Sequence, residues 1–193
     1  MAEMPEDAAC IAQMARGDEA ALQTICTRYR VRLWSYLWQQ LDGNRGAAEE
    51  ALQDTFLAVW RGAATFRGTS PVAVWLFRIA HHVAANARRH MRRHDEGHLT
   101  HVGDESVWEA SATTEWEAQL VDRLTLQAAL ARLSPKHREV LDLICVQGFV
   151  SDEVAHILDI PAASVRSRLR YARQALAQFM QGQSAAEEVA HER

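Results

Sequence analysis

Apolar residues recur at every third or fourth position along most of the chain, and no useful stretch alternates with period two. That periodicity predicts an all-α protein, with helices over roughly 8–15, 18–41, 46–62, 71–93, 119–132, 135–147, 151–158 and 162–180. The turn signals DGN at 42–44, FRGTSP at 66–71, LSP at 133–135 and DIP at 159–161 separate them. Within 46–62, Ala47, Ala51, Phe56 and Val59 are placed to pack inward. Glu50, Gln53, Asp54 and Leu57 follow i, i+3, i+4, i+7 and form a mixed acidic and apolar stripe, suited to a protein partner or simply to solvent. Within 71–93, Val72, Leu76, Ile79, Ala80, Val83, Ala87 and Met91 share a face that should be core. The opposite side carries Arg78, His82, Asn86, Arg89 and Arg93.

Residues 151–170 read SDEVAHILDIPAASVRSRLR and fit a helix-turn-helix. Ala155 supplies the small residue that lets the two helices approach. The turn falls at Leu158-Asp159-Ile160-Pro161, with Asp159 where glycine is often preferred. Val165 is the expected buried residue of the second helix, and Val154, Ile157, Leu158, Ile160 and Leu169 complete that core. Pro161 and Ser164 are compatible start signals. Ser164, Arg166, Ser167, Arg168, Arg170, Tyr171 and Arg173 then lie on exposed positions that can reach major-groove base edges and flanking phosphates. An amphipathic hairpin with a solvated basic face has the same spacing, but such faces usually mix both signs of charge.

Composition adds less than distribution does. The 193 residues are 48% hydrophobic and 24% charged, enough for a real core and against wholesale disorder. The net charge of −4 does not announce a nucleic-acid binder. Yet 55–94 contains no acid and seven arginines, at 61, 67, 78, 88, 89, 92 and 93. Residues 95–122 reverse this with eight acids and no lysine or arginine. Residues 160–181 are again acid-free and carry Arg166, Arg168, Arg170 and Arg173. Two basic surfaces flanking an acidic tether point to two contacts with one polyanion. Lys136 is the only lysine, and arginine is the better residue for forked phosphate and base contacts. The expected organisation is a first unit over 1–94, an acidic linker over 95–122, a second unit over 123–181, and a tail over 182–193.

Other chemistry finds little support. Cys10, Cys26 and Cys145 lie far apart, which excludes a disulfide framework or a cysteine-rich zinc module. His90, His94, His98 and His101 have ligand-like spacing only if a helix runs through Gly97, so a solvated cluster is expected and no metal. No phosphate loop or nucleophile constellation is present, and neither a cofactor nor catalysis is expected. The N-terminus lacks a secretory pattern and no apolar run approaches a membrane span, so a soluble cytoplasmic protein is expected. Membrane adsorption of the 71–93 helix is disfavoured by its thin, alanine-rich apolar face. Phe66, Arg67, Thr69 and Ser70 in the loop, with Trp75 at the junction, instead combine aromatics and arginines as unpaired bases require.

With these motifs in place, the chain resembles the extracytoplasmic-function (ECF) group of bacterial RNA polymerase sigma factors. The matching words are MARGDEAAL, AEEALQDTF followed by AVW, VWLFRIAHHVAANARR, and LARLSPKHREVLDL followed by the helix-turn-helix. The resemblance implies two small helical domains that give core polymerase its promoter specificity. It implies that Glu50, Gln53, Asp54, Leu57 and Trp60 dock on a coiled-coil of the largest polymerase subunit. It implies that Phe66, Arg67, Thr69, Ser70, Trp75, Arg78, His82, Asn86, Arg88 and Arg89 read and open the −10 element. Pro161, Ser164, Arg166, Ser167, Arg168, Arg170, Tyr171 and Arg173 would read the −35 element, and an anti-sigma factor would hold the protein until a signal arrives. The chain departs from the pattern at His81 and His82, where a basic residue and asparagine are usual, and at Asn86, Ala163-Ser164 and Tyr171. The two histidines suggest a pH-sensitive charge at this point of the helix. LSPKHREVLDLI also resembles the effector domains of two-component regulators, but 1–94 lacks the alternating βα pattern of a receiver.

Overall fold

The computed structural model describes residues 5–95, 129–130 and 132–191, with side-chain surroundings defined over 6–93, 129–130 and 132–179. All its regular elements among these residues are helical. They are α1 (Pro5–Met14), α2 (Glu19–Gln40), α3 (Arg45–Gly62), a short 3₁₀ turn (Ala63–Thr65), α4 (Val72–Asp95), α5 (Pro135–Leu141), α6 (Ser151–Leu158) and α7 (Ala162–His191). The expected linker lies outside the described residues except for Asp95, which ends α4. Of the helix expected over 119–132, only 129–130 are described as helical.

Local chemistry explains most boundaries. Pro5 opens α1, where its missing N–H costs nothing. Asp18 caps α2 by accepting from the amides of Ala20 and Ala21, and Asn44 caps α3 by accepting from Ala47. Glu153 reaches back to the amide of Val150 at 2.9 Å at the start of α6. Two expectations are corrected. The helix expected over 135–147 is α-helical only to Leu141, and Asp142–Val146 form a π turn. There the Gln147 amide donates to the Asp142 carbonyl at 2.9 Å, and the wider register swings Asp142 and Leu143 inward. The last helix does not stop near 180 but continues to His191, through a run rich in alanine, glutamine and glutamate.

The first unit is a bundle in which α2 and α3 pack with α4 around Ile25, Leu33, Leu37, Val59, Val72 and Leu76. Tyr29 ties α1 to α2 by donating to the Asp7 carboxylate at 2.5 Å, beside the Arg28–Asp7 ion pair. In the second unit α5, α6 and α7 enclose Val140, Leu143, Val154, Ile157 and Val165. These cores are continuous, because α6 lies directly against α4. Phe77 of α4 meets Phe149 edge-on at 4.9 Å, and the Arg32 guanidinium stacks over both rings.

Candidate nucleic-acid interface

The helix-turn-helix is built around a backbone constraint at Asp159. This residue takes the left-handed conformation, φ 54° and ψ 47°, which closes α6 and redirects the chain. Aspartate tolerates that region better than most residues with a Cβ. The Ile160 amide returns to the Ala155 carbonyl at 3.1 Å, and the amides of Ser164 and Val165 close on the Pro161 carbonyl. Val165 is wholly buried against α6, as are Val154 and Ile157, which fixes the rotation of α7. Pro161, Arg166, Ser167, Arg170, Tyr171 and Arg173 are therefore exposed, with Ser164 and Arg168 half-buried. Arg170 lies 5.1 Å over the Tyr171 ring. None of these arginines pairs with a carboxylate among the described residues.

The loop before α4 forms an aromatic corner. Phe66 and Trp75 rings lie 5.0 Å apart, both half-buried, while Arg67 and Thr69 are exposed and Ser70 is half-buried. Gly62 makes room for this corner, since a Cβ there would stand 3.3 Å from the Trp75 ring. Along α4 the candidate residues are partly engaged elsewhere. Arg78 pairs with Asp159 of the helix-turn-helix at 3.7 Å. Arg88 turns inward and donates to the Gln40 side-chain oxygen at 2.8 Å. Arg89 donates to Asn86, and Arg93 donates to the Arg89 carbonyl at 3.2 Å. His82 is exposed, and partial burial, with the neighbouring His81 and Arg78 adding, lowers its pKa against the pull of Asp159.

On α3, Glu50, Gln53, Asp54 and Leu57 all face solvent, with Leu57 45% exposed, and Trp60 is half-buried. The structure thus gathers three surfaces: the α3 stripe, the α4 face with its aromatic corner, and the outer face of α7. His90 is exposed, the side chain of His94 is not described, and His98 and His101 lie outside the described residues. Among the described residues no three His, Cys, Asp or Glu side chains gather as a metal site. No described helix is long and apolar enough to cross a membrane.

The expected core of α4 is only part of what is buried. Val72, Leu76 and Ala80 are buried and Ile79, Val83, Ala87 and Met91 half-buried, but Ala73, Val74, Phe77 and Ala84 are buried too. Phe77 and His81 form a second inward line that faces the other unit. His81 places Nδ1 2.8 Å from Glu139 Oε1, and Tyr36 of α2 donates its hydroxyl to the same oxygen at 2.7 Å. Burial alone would raise the Glu139 carboxyl, but the bonds and charge from His81, the Tyr36 hydroxyl and the Arg88 charge outweigh it and hold the group below its ordinary value. Burial pushes the Tyr36 phenol well up, with Glu139 adding to it. The available signal was Phe77 itself, an aromatic four residues before His81 and off the main apolar stripe.

Comparison with known proteins agrees with this layout. Residues 25–94 match the family model for sigma-70 region 2, and residues 123–176 match that for sigma-70 region 4. The chain is 30% identical to the ECF RNA polymerase sigma factor SigL of Mycobacterium tuberculosis, covering 84% of this chain and 90% of the relative. It is 26% identical to the ECF RNA polymerase sigma-E factor of Haemophilus influenzae, covering 90% and 95%. Two solved structures share its fold at TM-score 0.66 and 22% identity. One is CnrH in complex with the cytosolic domain of CnrY, covering 91% of this chain and 97% of that one. The other is the sigma factor RpoE from Bartonella quintana in complex with the anti-sigma factor NepR, covering 82% and 96%. On these matches the chain belongs to the ECF sigma factors of the sigma-70 family.

Proposed function

We propose that this sigma factor directs core RNA polymerase to promoters through three surfaces, with no catalysis of its own. The outer face of α7, with Pro161, Ser164, Arg166, Ser167, Arg168, Arg170, Tyr171 and Arg173, reads the −35 element in the major groove. The single observation that carries this reading is the outward, acid-free arginine face that follows a helix-turn-helix bend. A guanidinium without a counter-carboxylate is available for base edges and phosphates. Phe66, Arg67, Thr69, Ser70 and Trp75, with Arg78, His82, Asn86, Arg88 and Arg89 of α4, take the opened −10 strand. The aromatic corner offers bases a stacking platform worth roughly 1–3 kcal/mol each. Glu50, Gln53, Asp54, Leu57 and Trp60 dock on the coiled-coil of the largest polymerase subunit, where a small apolar centre within an acidic rim suits a basic groove.

The domain limits that follow are 1–94 and 123–181, with 95–122 as tether. The solved relatives bound to CnrY and to the anti-sigma factor NepR support control by an anti-sigma factor here as well. The site of action is then the cytoplasm, free or held at the membrane through such a partner. A two-component regulator is not favoured, since residues 5–95 form a helical bundle rather than a βα receiver. Run-off transcription with purified core polymerase tests the proposal: the protein should direct initiation from a cognate promoter. A chain that neither binds core nor directs initiation would sink it.

A further inference from the structure

One residue of the α7 face differs in kind from its neighbours. Between Ala162 and Gln178 the exposed side chains are arginine, serine, glutamine and alanine, except for Tyr171. Its ring is 49% exposed, and among the described residues it is the only large apolar side chain that α7 leaves exposed. Yet the ring is held. The Arg170 guanidinium lies 5.1 Å over it, and the His137 ring of α5 stands 6.1 Å away at 32°, within the range of offset stacking. His137 is half-buried, and the amides of His137 and Arg138 both return to the Ser134 carbonyl at 3.0 Å. The Arg138 guanidinium donates to the Leu130 carbonyl at 3.2 Å and ties that turn down further. On the other side of the contact, α7 packs against α5, and the complete burial of Val165 and Ala172 fixes its rotation.

An arginine presents a fork of donors and reads guanine by two parallel hydrogen bonds. A tyrosine has no such fork. What its ring presents to the groove is apolar surface, and the apolar landmark on a major-groove base edge is the C5 methyl of thymine. A ring already fixed by its neighbours does not have to lose rotamer freedom on binding. We infer that Tyr171 is a specificity residue that reads a thymine methyl in the −35 element. His137, outside the recognition helix, is the positioning residue that holds the Tyr171 ring for that contact. This inference rests on the proposed reading of α7 as the −35 helix. The phenol hydroxyl, by contrast, suits a phosphate, and Tyr171→Phe separates the two uses.

The test uses the full chain assembled on core polymerase and a library of duplexes randomised over the −35 region. The selected site is then remade with each thymine in turn replaced by deoxyuridine, which lacks only the methyl. The wild type should lose roughly three- to five-fold in affinity at one thymine, the worth of one buried methyl. Tyr171→Phe should keep both the affinity and that loss. Tyr171→Ala should abolish the loss at that thymine alone, and Tyr171→Arg should select guanine there. His137→Ala should cut the preference for the methyl to under about two-fold, because the ring is then no longer held in advance. His137→Phe, which keeps a ring, should restore it. Unchanged selection at the other positions shows that each variant is folded. Equal affinity for thymine and deoxyuridine everywhere, a loss that survives Tyr171→Ala, or a Tyr171→Phe variant weakened on all sequences would overturn the thymine reading. A loss left at full size by His137→Ala would overturn the role of His137. If the library enriches no site at all, the −35 reading itself fails and takes the inference with it.

Discussion

Two helices of this chain carry arginines within acid-free blocks, 72–94 and 162–181, and the fold treats them differently. On α7, Arg166, Arg170 and Arg173 project to solvent, and no carboxylate meets them among the described residues. On α4, Arg78 is tied to Asp159, Arg88 to Gln40 and Arg89 to Asn86. The first surface is built and waiting. The second is partly occupied by the chain's own groups, two of them through contacts distant in sequence. Charge blocks alone therefore locate a basic face without saying whether it is free to bind.

The largest expected effect tests the waiting surface. Arg166→Ala with Arg168→Ala should weaken binding to a −35 duplex by about 100-fold or more, at roughly 1–3 kcal/mol per base-reading contact. Where an arginine also neutralises a phosphate, its removal should make the salt dependence of binding shallower, as read by fluorescence anisotropy. Equal loss of −10 single-strand binding would erase the distinction between the two helices.

The junction between the surfaces carries the next effect. Asp142 is 2% exposed, and neither of its oxygens has a hydrogen-bond partner among the described residues. Burial raises its carboxyl to about 7 against the opposing pull of the neighbouring Gln147 side chain, with the Glu139 charge adding to the rise. Its contribution to stability is thus full below the unfolded value near ~4 and is lost as pH climbs through about 7. Glu139, held low, works the other way and loses its contribution only as pH falls below the ordinary carboxylate range. His82, also lowered, gains with rising pH, but solvent screens it. Asp142→Asn should therefore stabilise the protein by roughly 2–4 kcal/mol at pH 8, and by much less at pH 5. Urea denaturation at both values reads this directly; equal gains at the two would show that the carboxyl does not titrate in the fold.

Smaller effects refine the α4 side. Trp75→Ala should cost about ten-fold in binding a −10 single strand through weaker stacking, leaving −35 duplex binding unchanged. Gln40→Ala removes the side-chain acceptor of Arg88 and should cost about 1 kcal/mol in urea denaturation. It should not weaken single-strand binding if Arg88 is among the DNA-binding groups, because the guanidinium then keeps only its 3.4 Å contact with the Gln40 carbonyl. A joint loss would mark Arg88 as purely architectural.

Much of the fold was legible because its signals are local. The 3.6 period, the caps at Asp18 and Asn44 and the DIP bend each act within a few residues. Val165 and the exposed face of α7 could be read from the same spacing. The π turn could not, since Asp142–Val146 reads as an unbroken helical pattern. Nor could the second inward face of α4, whose partners lie far along the chain.

The sequence by itself determined the helices, the helix-turn-helix bend and the two acid-free basic blocks, all consequences of neighbours on one helix or turn. Tertiary structure alone decided the use of His81, which the sequence marks only as a departure from the family pattern. It meets Glu139 58 residues away, and Tyr36 reaches the same carboxylate from 103 residues away. Such a cluster exists only when a carboxylate is buried with its partners, and burial across two units is a property of packing.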